Sequence, residues 1–355
     1  MPSTTPGSLL VYGANGYTGT LVAERAAAEG LRPILAGRNA GAVTALAERL
    51  GCEARIFGLE VPSTIDACLD GVAVVLHCAG PFSRTSKPMV EACLRARVHY
   101  LDVTGEVAVF EAVRALTDEA RAAGVMLLPG AGFDVVPSDC LAVHTAAQVV
   151  QPTRLRIAIL GVGSRISHGT ATTMAQSLHQ GGLVRRGGRL VRIAPGSLVR
   201  PFDFGRGPRP TMAVPWGDLS TAWVSTGIAD IETYFAVGRG AIWGARTVGR
   251  LPWLLKSAPV QELMRRRIDA RPAGPDAGER ERGRSVIVVE VDNAAGQRAV
   301  SRLETPEGYS LTAMTSVAIA RRALAGDAPS GFQTPATAYG PDFILGFPGV
   351  RRVDL

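Results

Sequence analysis

A glycine-rich turn between a strand pattern and a helix pattern is the feature of this chain that most constrains its fold. Residues 9–12 form an apolar run typical of a buried strand, and residues 19–29 follow an alanine-rich helical pattern that stops at Gly30. Between them lies the GxxGxxG sequence Gly13-Ala14-Asn15-Gly16-Tyr17-Thr18-Gly19. Such glycines permit a tight turn, the close approach of a pyrophosphate and close packing of helix on strand. The turn therefore predicts a dinucleotide site that includes Gly13, Asn15, Gly16, Tyr17, Thr18 and Gly19.

Short apolar runs alternate with helical patterns over the first 150 residues, as in a parallel sheet that is covered by helices. Further strands are predicted at 33–36, 54–57, 73–78, 99–103 and 125–128, and further helices at 42–50, 88–96 and 107–123. The free N–H groups and the positive dipole end of the first helix would face the phosphates. We therefore expect residues 1–150 to form an α/β domain with a Rossmann-type, doubly wound parallel sheet.

The pattern changes after residue 151. Strands are predicted at 155–160 and among the aromatic residues of 216–235, a hairpin turn at Gly187 and Gly188, and a second hairpin from 285–291 and 298–303. Residues 239–270 follow a helical pattern, residues 271–284 predict a mobile loop, and residues 309–324 predict a helix. We expect 151–304 to form an α+β domain for substrate binding or dimerisation, built on a mostly antiparallel sheet, and 305–355 to pack back on the first domain.

The end of the second strand distinguishes between the two nicotinamide dinucleotides. An Asp or Glu at this position would bind the ribose 2′-hydroxyl of NAD, but the strand is followed by Arg38 and Asn39. A guanidinium group pairs with a 2′-phosphate and stacks on adenine. The sequence therefore predicts NADP(H) as the cofactor, with Arg38 and Asn39 at its adenosine end.

The fourth strand ends in a second turn that is expected at the cofactor. Ligands of open α/β sheets lie at the carboxyl ends of the strands, where this chain has Ala79, Gly80, Pro81 and Phe82. Gly80 would let the backbone approach the ribose. Pro81 and Phe82 are candidates for the floor of the nicotinamide site, although Phe82 equally fits an aromatic plug between the domains.

Composition excludes several other classes of protein. The formal net charge of +7 has no nucleic-acid-binding motif beside it, so we expect an anionic small ligand and no nucleic acid. The five cysteines lack CxxC spacing and the five histidines form no close ligand pair, which argues against a metal site. No signal-peptide pattern and no apolar run of membrane-spanning length is present, so we expect a cytoplasmic protein.

Five motifs resemble, in order and spacing, those of the saccharopine dehydrogenase-like oxidoreductases. They are GANGYTG, LAGRN, CAGPF, HYLDVTGE and PGAGFDVVPSD, and the resemblance returns in TPEGYSLTA and GFQTPATAYG. It covers residues 8–145 and 305–340, and the chain is similar to the branch that includes trans-acting enoyl reductases. The resemblance implies a Rossmann domain followed by an α+β domain, the use of NAD(P)H and the reduction of C=N or C=C bonds.

Acidic residues at strand ends are the best candidates for handling a proton. Asp102 and Glu106 flank one strand-to-helix turn, and Asp134 and Asp139 flank the next. Glu106 and Asp139 also fit the start of a helix, where a carboxylate caps free N–H groups. Candidates from the second domain are Tyr234, His168, Trp216 and Asp218. Because neither lysine follows a tyrosine by four residues, the Tyr-xxx-Lys pair of short-chain dehydrogenases is absent.

The leading hypothesis is an NADPH-dependent reductase of an activated C=C or C=N bond, with an enoyl or imine substrate bound between the two domains. The substrate would be a small molecule, apolar or carrier-bound. One alternative is an NADP-binding sensor or scaffold without catalysis. Another is an amino-acid dehydrogenase of the saccharopine type, for which Arg84, Arg165 and Arg189 are candidate ligands of substrate carboxylates. A homodimer remains open.

An aromatic and arginine-rich segment, residues 243–267, remains outside this scheme. Packing of an amphipathic helix is the favoured interpretation, and cover for an apolar substrate is an alternative. Contact with a membrane surface is a further, less favoured one.

Overall fold

The computed structural model describes residues 7–163, 181–248 and 272–355, together with residues 165, 167–169, 171–172, 262, 266–267 and 270. The chain divides into two compact units. Unit 1 contains the chain up to Val136 and returns at Tyr309–Gly340, and unit 2 consists of Pro137–Gly308 and Pro341–Leu355.

Strands and helices are numbered in chain order. The strands are β1 Ser8–Tyr12, β2 Ile34–Gly37, β3 Ala54–Ile56, β4 Val72–His77, β5 His99–Asp102, β6 Met126–Leu128, β7 Arg154–Val162, β8 Gly182–Arg186, β9 Arg189–Ile193, β10 Val199–Asp203, β11 Pro208–Ala213, β12 Asp230–Ala236, β13 Arg284–Asp292, β14 Arg298–Pro306, β15 Gly331–Phe332 and β16 Arg351–Asp354. The helices are α1 Tyr17–Ala28, α2 Ala40–Leu50, α3 Pro62–Cys68, α4 Phe82–Ala96, α5 Val107–Arg114, α6 Thr117–Ala123, α7 Val136–Ala146, α8 Asp218–Thr226, α9 Arg239–Val248, α10 Ala277–Arg282, α11 Gly308–Leu324 and α12 Pro335–Tyr339.

Unit 1 is built on a seven-stranded parallel sheet in the order β3-β2-β1-β4-β5-β6-β15. Its central strands are buried on both faces, which explains why they are continuous apolar runs rather than alternating patterns. The strand order reverses between β1 and β4, so the carboxyl ends of these two strands form the crevice where such sheets bind ligands. The predicted Rossmann-type, doubly wound sheet is confirmed.

Helix α11 belongs to unit 1 from Tyr309 onwards. The Thr315 hydroxyl donates to the carbonyl of Ala131 (2.9 Å), and the Thr312 hydroxyl accepts from the N–H of Phe133 (3.0 Å). Residues 341–355 belong to unit 2, because β16 pairs with β14 and extends the sheet of that unit. The expectation that all of 305–355 packs on the first domain therefore differs from the structure for residues 341–355.

Unit 2 contains a nine-stranded sheet with the main order β10-β11-β12-β7-β13-β14-β16, and the hairpin β8–β9 attaches through β12. Among the described strands, β12–β7 is the parallel pair and the other pairs are antiparallel, as predicted. The rings of Phe202 and Tyr234 pack 5.2 Å apart in the core of this unit. Both predicted hairpins, at Gly187–Gly188 and between β13 and β14, are confirmed.

Three predicted elements of unit 2 require correction. Residues 218–226, predicted as part of the aromatic strands, form α8, because buried Leu219 and Ala222 follow a helical period and Gly227 ends the helix at φ +72°. The predicted loop 271–284 contains α10, which is capped reciprocally by Asp276 and Glu279. Of the predicted helix 239–270, α9 is seen, and most of 249–269 lies outside the described residues.

Three differences also occur in unit 1. The predicted helix 107–123 is two helices, since the Thr117 hydroxyl donates to the carbonyl of Arg114 (2.5 Å) and competes with the helical pattern. Helix α4 begins at Phe82 and not at Pro88, which lies inside it. Helix α3 has no counterpart in the sequence-based predictions.

Candidate cofactor and active site

The glycine turn is shaped by two contacts that exclude any side chain. Gly13 has φ +80°, and a Cβ atom built there would lie 2.7 Å from the Cβ of Ala79. A Cβ atom at Gly19 would lie 2.1 Å from the carbonyl oxygen of Gly13. Helix α1 therefore sits directly on the turn after β1, which is the close packing that the third glycine of a dinucleotide fingerprint serves.

The start of helix α1 is left open to a ligand. Its N-cap residue is Gly16, no side chain caps the helix, and its first turn has no acidic residue. The first backbone hydrogen bond of the helix runs from the N–H of Thr20 to the carbonyl of Gly16 (2.8 Å). Asn15 and Gly16 are exposed, and Tyr17 and Thr18 are partly buried. Helix N–H groups and the positive dipole end thus point to a surface that suits a pyrophosphate.

Arg38 is the basic residue at the carboxyl end of β2. It follows β2, which is joined to the turn by the hydrogen bond from the Gly13 N–H to the carbonyl of Ala36 (2.8 Å). Its side chain is exposed and makes no hydrogen bond or ion pair with any residue that the structure describes. The side chain of Asn39 has a structural role, because it accepts from the N–H of Ala42 (3.1 Å) and caps α2. The guanidinium of Arg38 is therefore available to a 2′-phosphate.

The turn after β4 is held by its own hydrogen bonds. The Thr85 hydroxyl donates to the carbonyl of Ala79 (2.6 Å), and the Gly80–Pro81 peptide bond is cis. The ring of Phe82 is buried and contacts the ring of His77 edge-on, with 5.3 Å between centroids. Phe82 therefore packs inside unit 1, whereas Gly80 is exposed and Ala79 and Pro81 are partly exposed.

Glu106 holds the same turn from the neighbouring strand. Its carboxylate accepts from the N–H of Phe82 (2.7 Å) and from the N–H of Ser83 (3.1 Å). It precedes α5 but does not cap it, and instead caps the first turn of α4. The predicted capping role thus applies to a different helix, and the predicted catalytic role has no support from this geometry.

Asp102 is fully buried and joins two loops. One carboxylate oxygen accepts from the N–H groups of Thr104 and Gly130 (both 2.9 Å), and the other accepts from the Tyr100 hydroxyl (2.8 Å). Burial raises the pKa of Asp102 to about 6, against the opposing effect of these hydrogen bonds. Its contacts assign Asp102 to holding the turns after β5 and β6.

A buried histidine, His77, completes this network and was missed by sequence reasoning. Its Nδ1 lies 3.3 Å from the hydroxyl of Tyr100. Burial lowers the pKa of His77 to about 3, so the ring is neutral. Because Tyr100 donates to Asp102, the Nδ1 of His77 carries the proton in this bond. The sequence signal that could have identified His77 is its position as a polar residue at the end of the apolar strand VAVVLH.

Asp134 is the acidic candidate of the turn after β6. It lies in the loop between β6 and α7, partly buried against the backbone of Gly105, whose built Cβ would be 2.8 Å from its carboxylate. Burial raises the pKa of Asp134 to about 7. A carboxyl group that titrates near neutral pH can both hold and release a proton.

The predicted catalytic residues of unit 2 contact other residues of the same unit. Tyr234 is buried in the core and donates to Glu232 (2.5 Å), and burial raises its pKa, so its predicted catalytic role has no support from its position. Asp139 is buried and accepts from the Ser225 hydroxyl (2.6 Å). The ring of Trp216 lies beside that of Phe235, and Asp218 is buried at the start of α8. The backbone N–H of His168 donates to the carbonyl of Ala273.

The described residues contain no cluster of three or more potential metal ligands. In the same part of the chain, no helix combines the length and apolar character needed to cross a bilayer. All five cysteines are free thiols.

Comparison with known proteins identifies the fold of unit 1 more closely. Residues 9–128 match the family model described as the saccharopine dehydrogenase NADP binding domain. This match covers β1 to β6, including the glycine turn and Arg38, and it confirms the resemblance drawn from the sequence motifs.

Curated relatives match over the same part of the chain. The trans-acting enoyl reductase of Mycobacterium leprae is 35% identical over 139 residues, which are 37% of this chain and 33% of that protein. The trans-acting enoyl reductase of Mycobacterium tuberculosis is 32% identical over 146 residues, 39% of this chain and 35% of that protein. The match thus spans about a third of the length of these relatives.

A solved structure resembles the whole chain. The saccharopine dehydrogenase (L-Glu forming) of Saccharomyces cerevisiae aligns with a TM-score of 0.66 at 14% identity, over 98% of this chain and 100% of that one. At this identity the likeness concerns the fold, and it supports the combination of a Rossmann-type sheet with a second, mixed sheet.

Proposed function

We propose that this chain, whose residues 9–128 match the saccharopine dehydrogenase NADP binding domain, is an NADPH-dependent reductase of an activated double bond. The observation that carries the proposal is the glycine turn of unit 1 with the available guanidinium of Arg38 at its edge. NADPH, when bound, supplies the hydride. The protein has to hold the cofactor, orient the substrate and supply a proton.

The residues present fit this cofactor. Gly13 and Gly19 leave room for the backbone to approach a pyrophosphate, and the uncapped start of α1 offers N–H groups to it. Arg38 offers two donors to the 2′-phosphate. Gly80 and Pro81, held by Glu106 and Thr85, form the second edge of the crevice at the carboxyl ends of β1 and β4.

Asp134 is proposed to hold the proton that the reaction consumes. Its pKa of about 7 lies near the pH at which a general acid is most effective. In the reduction of a C=C bond, the hydride adds to one carbon and the proton from Asp134 adds to the other. Asp102 and Glu106 are assigned to positioning, since all their carboxylate oxygens serve backbone or tyrosine donors.

An enoyl substrate is favoured over an imine by the names of the curated relatives, which are enoyl reductases. The saccharopine-type alternative needs arginines that are available to substrate carboxylates. Of the candidates, Arg165 is paired with Glu279 (2.8 Å), whereas Arg84 and Arg189 are exposed on α4 and at the β8–β9 hairpin.

The test is NADPH oxidation, followed by absorbance, with enoyl thioesters of increasing chain length and with cyclic imines. We expect turnover with an enoyl thioester. Asp134→Asn should bind NADPH as the wild type does while kcat falls by about 100-fold or more. The matched control is Glu91→Gln, which removes a carboxylate from an exposed ion pair with Lys87 on α4. Tight NADPH binding without oxidation by any of these substrates would favour the sensor alternative.

A further inference from the structure

Helix α9 in unit 2 presents a tryptophan to solvent. The side chain of Trp243 is 71% exposed, although it is among the largest apolar side chains of the protein. The preceding residue, Ile242, is buried and attaches the helix to the rest of the unit. A packing helix, which the sequence pattern favoured, would bury its tryptophan, whereas the exposed ring of Trp243 forms one wall of a groove and belongs to a larger apolar surface.

An apolar groove adjoins the exposed ring. It has a volume of about 250 Å³ and is lined by Val199, Pro210, Arg239, Ile242, Trp243 and Arg246. The Nε of Arg246 donates to the carbonyl of Gly196 (2.8 Å), which ties α9 to the loop before β10. Two arginines therefore flank an apolar floor, and the described residues that line it include no acid.

The charged residues in the sequence around α9 are all basic. From 233 to 261 the chain has no Asp or Glu, and its basic residues are Arg239, Arg246, Arg250 and Lys256. Trp243 and Trp253 are two of the four tryptophans of the protein. Tryptophan with arginine or lysine, in a segment that lacks acids, is the composition of segments that lie in the interface of an anionic membrane.

We infer that the α9 surface, defined as Trp243, Arg239, Arg246 and the adjoining groove, docks on an anionic lipid bilayer. The Trp243 ring would enter the headgroup region, and the two guanidinium groups would bind lipid phosphates while their aliphatic stems line the apolar floor. A bilayer fits better than a protein partner, because the charged residues of the sequence from 233 to 261 are all basic, which suits a continuous surface of phosphates.

Co-sedimentation with lipid vesicles tests the inference without using enzymatic activity. The full-length protein is mixed with vesicles of phosphatidylcholine and phosphatidylglycerol, or with vesicles of phosphatidylcholine alone. We expect pelleting with the anionic vesicles and little with the neutral ones. Binding should be lost in about 1 M NaCl, where the screening length falls to about 3 Å.

Variants of the surface sharpen the test. Arg239→Gln/Arg246→Gln should lower the partition coefficient on anionic vesicles by roughly 30-fold, since each basic residue near such a surface contributes about a fivefold factor. Trp243→Ala should lower it by roughly tenfold. The matched charge control is Arg49→Gln/Arg121→Gln, which removes two exposed arginines from helices of unit 1. The matched apolar control is Val150→Ala at a side chain that is 70% exposed.

Circular dichroism and thermal midpoints equal to wild type establish that the variants are folded. Equal pelleting on neutral and anionic vesicles, or wild-type binding by the Arg239→Gln/Arg246→Gln variant, would overturn the inference. Self-association in the absence of lipid that is abolished by Trp243→Ala would also overturn it, because the surface would then be an interface between two copies of this chain.

Discussion

At the scale of single residues, Arg38 tests the proposed selection of NADPH over NADH. Replacing Arg38 with Ala removes the cation from the proposed 2′-phosphate site, so the Kd for NADPH should rise by roughly 30-fold while the Kd for NADH stays within about twofold. Fluorescence titration of both cofactors measures this. Arg32→Ala, at the opposite end of β2 and also exposed, is the control. If Arg38→Ala raised the Kd for NADPH and the Kd for NADH equally, Arg38 would have a structural role and no role in cofactor selection.

Positions that follow from local backbone geometry are the ones that can be located from the sequence. Gly13 and Gly19 are dictated by a turn between adjacent elements, and Arg38 by its position at the end of a strand. The roles of Asp102 and Glu106 depend on donors from other elements, Gly130 and Phe82. Such partners become known only from the sheet order, so the two acids looked catalytic from the sequence.

At the scale of secondary-structure elements, the cap of α4 shows how a remote residue sets the start of a helix. Glu106→Gln leaves a single carbonyl oxygen for the N–H groups of Phe82 and Ser83 and removes the charge that complements the helix dipole. We expect a loss of about 1–2 kcal/mol in the free energy of unfolding and a several-fold higher Kd for NADPH, because the Gly80–Pro81 turn loosens.

Urea denaturation and NADPH titration check this expectation. The control, Glu91→Gln, breaks an exposed ion pair with Lys87 on α4 and should cost no more than about 0.5 kcal/mol. Equal effects of the two substitutions on stability and on NADPH binding would mean that the cap contributes nothing specific.

Element boundaries show the same limit of sequence reasoning. Pro88 looked like the first residue of a helix, yet α4 begins six residues earlier, where Glu106 supplies the cap. Helix α8 was not predicted, because Trp223 and Val224 favour a β-strand. Burial of Leu219 and Ala222 on one side of the helix outweighs this local preference for a strand. The strands of the parallel sheet could be predicted from the sequence, because a strand that is buried on both faces is a continuous run of apolar residues.

At the scale of the whole molecule, the buried acids of unit 1 make stability depend on pH. In the unfolded chain the Asp102 carboxyl loses its proton near its ordinary pKa of 3.8, and in the folded protein it does so near 6. Between these values the folded state binds more protons than the unfolded state, so stability falls as pH rises. The difference of about two pH units corresponds to about 3 kcal/mol, and Asp134 adds a contribution of the same sign up to pH 7.

Asp102→Asn isolates the contribution of this residue. The amide oxygen can still accept from the N–H groups of Thr104 and Gly130, and the amide nitrogen can donate to Tyr100, whose hydroxyl then donates to Nδ1 of His77. The hydrogen bonds of Asp102 are thus kept with their donors reversed and without its titrating carboxyl group, while the proton of His77 moves to its buried Nε2, which has no hydrogen-bond partner among the described residues. In urea unfolding at stepwise pH between 4 and 8, the variant should gain stability relative to wild type as pH rises, with the gain complete near pH 7. Parallel profiles for the two proteins would show that the burial of Asp102 carries no electrostatic cost.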